Sequence, residues 1–177
     1  MSAKTSIVYT DEEIVEKIRE TKPRVVAVDA PLALPKGRKS LEERGDVHLR
    51  QCDRELLSMG IKFFPVTLGP MRKLTERGIR LRKLLEKEGF EVIEVYPGAA
   101  QDILKMPRKQ RGIEKLRGAL LEYGIRGDVN KERITDHELD AITSALVGKL
   151  YLEGKTVSIG DPEEVLMIIP TQKTNYK

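Results

Sequence analysis

The sequence contains no tryptophan, only one cysteine and very few side-chain amides. Four Gln and two Asn stand against 32 Lys and Arg among 177 residues. The single cysteine, Cys52, excludes an intramolecular disulfide, and the Cys and His residues show no spacing typical of a zinc site. Few thermolabile amides together with many ion-forming residues are typical of proteins from thermophiles.

Long apolar runs are also missing. No stretch approaches the roughly 18 residues that a membrane-spanning helix needs, and residues 1–5 do not lead into the apolar core of a signal peptide. We therefore expect no membrane association and a cytoplasmic location. The composition, 40% hydrophobic and 34% charged, predicts a folded protein with one domain over residues 1–177 and a loose tail at 170–177.

Several catalytic signatures are absent as well. The chain has neither a Walker-type phosphate loop nor a dinucleotide-binding fingerprint. It has no Gly-x-Ser-x-Gly elbow and only two histidines, which argues against a serine hydrolase. Carboxylates and basic side chains remain as the main candidates for chemistry.

Apolar periodicity predicts alternating strands and helices, and therefore an α/β fold with a sheet covered by helices. Capping boxes at Thr10 and Thr135 indicate two helix starts. Residues 25–28 are apolar at every position, which is typical of a strand covered on both faces. The predicted strands are 6–10, 25–28, 91–96, 156–159 and 165–169, with an extended segment at 61–66; the predicted helices are 11–21, 46–59, 74–88, 113–123 and 135–153.

Three carboxylates fall where a ligand site is expected. Asp29 directly follows the strand at 25–28, and open α/β sheets bind ligands at the carboxyl ends of their strands. Asp140 lies at the margin of the apolar stripe of the last helix, where an unpaired charge is costly. Glu94 interrupts an apolar strand, although an edge position would explain it without any function. The apolar stripe consists of Leu139, Ile142, Leu146 and Leu150.

Basic residues cluster between positions 105 and 117, where only Glu114 is acidic. Such a cluster suits a phosphate backbone, and a solvated basic helix and loop explains it equally well. Acids beside a basic surface suit Mg²⁺ or Mn²⁺, which prefer oxygen ligands and activate water for phosphodiester hydrolysis. The basic residues are Lys105, Arg108, Lys109, Arg111, Lys115 and Arg117.

Four motifs occur in order along nearly the whole chain: VVAVDAPL at 25–32, RQCD at 50–53, IEVYPGA at 93–99 and DHELDA at 136–141. This set resembles the uncharacterised family described as predicted RNase H-like nucleases. The resemblance implies an RNase H-like mixed sheet flanked by helices and a nuclease that uses Mg²⁺ or Mn²⁺ on DNA or RNA.

The same resemblance implies a RuvC-like metal site. Asp29 would be its strand acid, and His137 and Asp140 would be its helix pair, with Asp136 as the near alternative to His137. An acid in the first helical turn also simply favours the helix dipole, and His137 is compatible with mere exposure.

Two further residues of the motifs are candidates for the site. Glu94 is a candidate catalytic acid. Arg50 is a candidate phosphate contact beside Lys105, Arg108, Lys109 and Arg111, and an ion pair of Arg50 with Asp53 or Glu94 is an equal alternative.

One element that the resemblance implies is incomplete. RNase H-like domains open with a three-strand meander whose first strand carries an essential acid, and only the predicted strand at 6–10 precedes the first helix. Either the chain begins late relative to its gene, or a partner supplies the element, or the site is lost. An exposed sheet edge predicts pairing with a second copy as a homodimer. A non-catalytic nucleic-acid-binding domain and a small-molecule phosphohydrolase are the alternatives to a nuclease.

Overall fold

The computed structural model describes residues 1–43 and 45–171, so the predicted loose tail lies, from residue 172 onward, outside the described residues. None of the described helices is both long and apolar enough to cross a membrane. The helices are α1 (Asp11–Thr21), α2 (Gln51–Ser58), α3 (Gly69–Lys87), α4 (Pro97–Ile103), α5 (Ile113–Glu122) and α6 (Asp136–Leu152). The strands are β1 (Ser2–Ala3), β2 (Val26–Val28), β3 (Val92–Val95), β4 (Arg126–Gly127), β5 (Thr156–Ile159) and β6 (Met167–Pro170).

The main sheet has the strand order β2-β3-β6-β5. β2 pairs in parallel with β3 and β3 in parallel with β6, whereas β5 runs antiparallel to β6. The carboxyl ends of β2, β3 and β6 therefore lie at one edge of the sheet. β1 and β4 form a separate two-stranded parallel sheet. The mixed sheet with its covering helices confirms the predicted α/β class.

Helices cover both faces of the main sheet because successive strand residues point to opposite sides. On one face, Val26 of β2 packs with Leu85 of α3. On the other face, Ile93 of β3 packs with Val147 of α6, beside Ala27 of β2. β2 is only partly buried, because among the described residues it pairs along one side alone. The proposed pairing of this edge with a second copy stays a prediction.

Helix α6 lies in the hydrophobic core, and its predicted apolar stripe from Leu139 to Leu150 is buried. The Thr135 hydroxyl accepts a hydrogen bond from the Glu138 backbone N–H at 3.2 Å, and the Glu138 carboxylate accepts one from the Thr135 N–H at 3.0 Å. These two bonds confirm the predicted capping box. They fix the first turns of α6, which carry Asp136 and Asp140.

The strand predicted at 6–10 is wrong. The Thr5 backbone N–H donates to the Asp128 carboxylate at 2.7 Å, and the Tyr9 N–H donates to the Glu13 carboxylate at 2.6 Å. Tyr9 and Thr10 of the segment donate to Glu13, the acid of the α1 capping box, and Thr5 just before it donates to Asp128, so these backbone donors bind side chains rather than a neighbouring strand. The segment predicted as extended at 61–66 lies outside the helices and strands.

Two helices have limits that differ from the prediction, and one helix was not predicted. α2 begins at Gln51 rather than at 46, because the Asp53 carboxylate accepts the Arg50 N–H at 2.9 Å and holds Arg50 at the helix start. α3 begins at Gly69, five residues before the predicted start at 74, and has a proline in its first turn. α4 follows β3 at once; its Pro97 suits a first helical turn, whereas a Pro-Gly pair also predicts a turn.

Candidate functional site

A cavity of about 300 Å³ opens at the carboxyl ends of β2 and β3. Asp29, directly after β2, and Asp140, in the second turn of α6, both line this cavity. The predicted site residues Arg50, Glu94, Arg108 and Lys109 line it as well, so six of the predicted residues share one cavity. The two acids Asp29 and Asp140 therefore meet. They do so because parallel strands end at the same sheet edge and α6 packs across the sheet beside that edge.

Asp29 has a carboxylate without a hydrogen-bonding partner among the described residues. Protein surrounds this group on most sides, although the cavity leaves the residue accessible to solvent. Partial removal of the carboxylate from water, together with the negative charge of Asp140, raises the pKa of Asp29 to about 7, while the positive charge of Lys109 opposes the shift. A carboxylate in such surroundings is stabilised by an added cation.

Lys109 holds two acids of α6 together. Its ammonium lies 2.8 Å from Oδ2 of Asp140 and 3.1 Å from Oδ2 of Asp136. Burial alone would lower the pKa of Lys109, but the hydrogen bonds to these two acids raise it. Gln101 of α4 donates from Nε2 to Oδ1 of Asp140 at 3.1 Å. The carboxylate of Asp140 thus already binds a positive charge in this structure.

Lys109 also distinguishes the two residues that the sequence offered as partners of Asp140. Neither residue lines the cavity, but Asp136 shares the contact with Lys109, whereas the His137 side chain is 89% exposed. Within the described residues, no group of three or more His, Cys, Asp or Glu side chains is arranged to hold a metal ion. The metal ligand set therefore stays a prediction, in which Asp136 is better placed than His137.

Glu94 and Arg50 form an ion pair in the lining of the cavity. Arg50 donates from Nη1 and Nη2 to the two carboxylate oxygens of Glu94 at 2.7 and 2.6 Å, and both side chains are 1% exposed. Asp53 accepts a further bond from Arg50 at 3.2 Å. The suggested phosphate contact of Arg50 is therefore corrected: the guanidinium binds both acids, which was the alternative.

Glu94 lies in an internal strand rather than at a sheet edge. Besides its pair with Arg50, its carboxylate accepts the backbone N–H of Leu32 at 2.8 Å. Leu32 lies three residues after Asp29, so Glu94 supports the segment that leads away from the acid. This arrangement points to a positioning role for Glu94 rather than to the catalytic role that the motif suggested.

The predicted basic segment divides into paired and unpaired residues. Arg108 forms an ion pair with Asp102 at 2.5 Å and donates to the Tyr96 hydroxyl at 3.1 Å. Lys105 and Arg111 are exposed and form no ion pair with any described residue. Lys105 and Arg111 are therefore available to bind an external anion. Arg108 and Lys109 are less available, because each already pairs with an acid.

Sequence reasoning missed several residues that shape the cavity. Gln101 lies on the unpredicted helix α4, and Phe63 and Phe64 precede α3. Tyr96 donates from its hydroxyl to the Lys62 carbonyl oxygen at 2.8 Å. A Cβ on Gly98 would lie 2.7 Å from the Tyr96 ring, so the ring keeps this position because residue 98 is glycine. The Tyr-Pro-Gly sequence at 96–98 was the signal from which this part of the cavity could have been predicted.

Gly78 of helix α3 lies against the segment that follows Asp29. A Cβ on Gly78 would lie 2.6 Å from the Pro31 carbonyl oxygen and 3.0 Å from the Cβ of Ala30. The missing side chain lets α3 support the two residues that follow Asp29. Gly78 thereby contributes to the position of the acid without lining the cavity.

Residues 2–165 match the model of a family described as protein of unknown function (DUF429). The chain belongs to the DUF429 family. The matched region of this DUF429 protein includes Asp29, Lys109 and Asp140, so the whole acidic side of the cavity lies within the family domain. No curated protein and no solved structure gives a significant match.

We expect Asp29→Asn to stabilise the protein near pH 8 and to have little effect near pH 4. The pKa of Asp29 rises from 3.8 to about 7 on folding, so its ionisation increasingly opposes folding as the pH increases across that range. The amide removes this charge. Urea unfolding at the two pH values measures the effect, with Asp46→Asn, an exposed acid outside the cavity, as the control. A variant less stable than the wild type near pH 8 would contradict the prediction.

Proposed function

We propose that this DUF429 protein is a nuclease that hydrolyses phosphodiester bonds of DNA or RNA with Mg²⁺ or Mn²⁺. The supporting observation is that Asp29 and Asp140 line one cavity while the carboxylate of Asp29 lacks a hydrogen-bonding partner among the described residues. Oxygen donors with excess negative charge are the groups that bind hard divalent cations.

Asp29 and Asp140 fit the usual coordination of Mg²⁺. This ion commonly takes one or two carboxylates and completes its shell with water and substrate phosphates. Asp29 and Asp140 would hold the ion, and Gln101 orients Asp140 through its hydrogen bond. A bound ion would supply an activated water and stabilise the charge that develops on the phosphate.

Unpaired cations in the segment that carries Lys109 support a polyanionic substrate. Lys105 and Arg111 lie on either side of Lys109 in the chain and are free of ion pairs with described residues. Contacts between such residues and phosphates release counterions, so nucleic-acid binding is expected to weaken steeply with salt.

Loss of metal-dependent cleavage in Asp140→Asn is the test. The wild type is expected to cleave members of a panel of single-stranded, duplex and branched DNA and RNA with Mn²⁺, and EDTA should stop the reaction. Asp140→Asn should cut about a hundredfold more slowly or worse, because metal stabilisation of the transition state contributes several kcal/mol. Binding measured with Ca²⁺ should persist. Asp46→Asn is the matched control, and unchanged cleavage by Asp140→Asn refutes the proposal.

A non-catalytic nucleic-acid-binding domain is the second candidate. It is favoured by the finding that no three metal-binding side chains converge within the described ranges. It predicts salt-sensitive binding that needs no metal and is unchanged in Asp140→Asn. Turnover of mononucleotides without any effect on polynucleotides would instead favour the small-molecule phosphohydrolase.

A further inference from the structure

We infer that the cavity binds one unpaired nucleobase of the substrate beside the phosphate that is cleaved. The inference rests on the proposed nuclease function and names its substrate class, a single-stranded or locally unpaired nucleic acid. The structural basis is the juxtaposition of an apolar, aromatic wall and a charged wall in the same cavity.

The apolar wall comes from the segment before α3 and from the first two turns of that helix. Phe64 lines the cavity and is 69% exposed, and Leu74 lines it and is 40% exposed. Phe63 and Met71 extend the same wall. Apolar side chains grouped in a concave, accessible place are typical of binding sites.

The same cavity also carries the polar groups of the proposed reaction. Asp29, Asp140 and Gln101 line it together with Lys109. A ligand that satisfies both sets of residues has a flat apolar group joined through a short link to a phosphate. A nucleotide has this composition, since its base stacks on aromatic rings while its phosphate binds metal ions and cations.

A base must be unpaired to stack on the apolar wall. Within a duplex, each face of a base is covered by its neighbours in the stack, so neither face is available to Phe64. A volume of about 300 Å³ lies at the small end of the range for ligand sites, which suits one nucleoside. Arg111, which follows the cavity residue Gln110, would then bind a phosphate of the strand outside the cavity.

Binding of fluorescent oligonucleotides to the full chain tests the inference, with Ca²⁺ replacing Mg²⁺ so that cleavage does not interfere. Phe64→Ala is expected to weaken single-strand binding about tenfold to a hundredfold, which is the usual contribution of one stacked base. Tyr9→Ala, which removes an aromatic ring 77% exposed outside the cavity, should leave it unchanged. A strand with abasic sites should bind the wild type weakly and should be insensitive to Phe64→Ala.

Two further readouts separate this inference from the nuclease proposal. Phe64→Trp should restore single-strand binding, since it keeps the stacking surface, and urea unfolding verifies that each variant folds. If the wild type cleaves nucleic acid but Phe64→Ala binds single strands as well as the wild type, the base site is overturned and the nuclease stands. Preference of the wild type for perfect duplex also overturns it. If the wild type neither binds nor cleaves any polynucleotide, both proposals fail.

Discussion

Arg50→Met is expected to lower the free energy of unfolding by about 3–5 kcal/mol, the usual cost of removing one partner of a buried ion pair. The substitution leaves Glu94, which is 1% exposed, with only the Leu32 N–H as a strong partner among the described residues. It also removes the link from β3 to Asp53 of α2. Urea unfolding at neutral pH measures the loss.

Arg19→Met is the matched control for this experiment. Arg19 is paired with Glu88 on the surface, with the arginine side chain 60% exposed, so its loss should cost at most about 1 kcal/mol. Replacing Glu94 by Met as well should recover part of the loss, because an apolar pair no longer leaves a buried charge. Equal costs for Arg50→Met and Arg19→Met would show that burial of the pair has no energetic consequence.

Gly78→Ala is expected to destabilise the protein by about 1–3 kcal/mol, although alanine is normally the better helix former by about 1 kcal/mol. The sign reverses because the new methyl group would lie 2.6 Å from the Pro31 carbonyl oxygen, so that α3 or the segment after Asp29 must move. This displacement should also weaken Mn²⁺ binding, measured by calorimetry, because it shifts Asp29 relative to Asp140.

Gly118→Ala is the matched control, and we expect it to have the opposite effect on stability. Gly118 lies in α5, and a Cβ at this position meets nothing within 4 Å. Its substitution should stabilise the protein by about 0.4–1 kcal/mol and leave Mn²⁺ binding unchanged. If both glycine variants are stabilised alike, the close approach of α3 to the Asp29 segment is not a constraint on the fold.

The helices α1 and α6 were predicted from sequence with nearly correct limits. Both begin with a capping box, and the stripe of α6 repeats at the helical period, so local interactions and burial indicate the same limits. The segment at 6–10 shows why other predictions failed. Its donors at Tyr9 and Thr10 are bound by the side chain of Glu13, and the preceding Thr5 is bound by Asp128, which lies far away in the sequence.

The candidate site was predictable in part for similar reasons. Asp29 ends an apolar strand and Asp140 borders an apolar stripe, and both positions follow from patterns within a few residues. Such patterns did not show whether Asp136 or His137 is the better partner of Asp140. The difference depends on Lys109, which lies in the segment between α4 and α5.

By itself, the sequence determined the α/β class, the core face of α6 and the places of Asp29 and Asp140, since the period of apolar residues records which face of each element is buried. Only the tertiary structure decided that Arg50 binds Glu94, that Lys109 binds two acids and that Phe64 borders the cavity. A charged or aromatic side chain acquires its partners from whichever elements pack beside it, and this packing has no signature in the local pattern of residues.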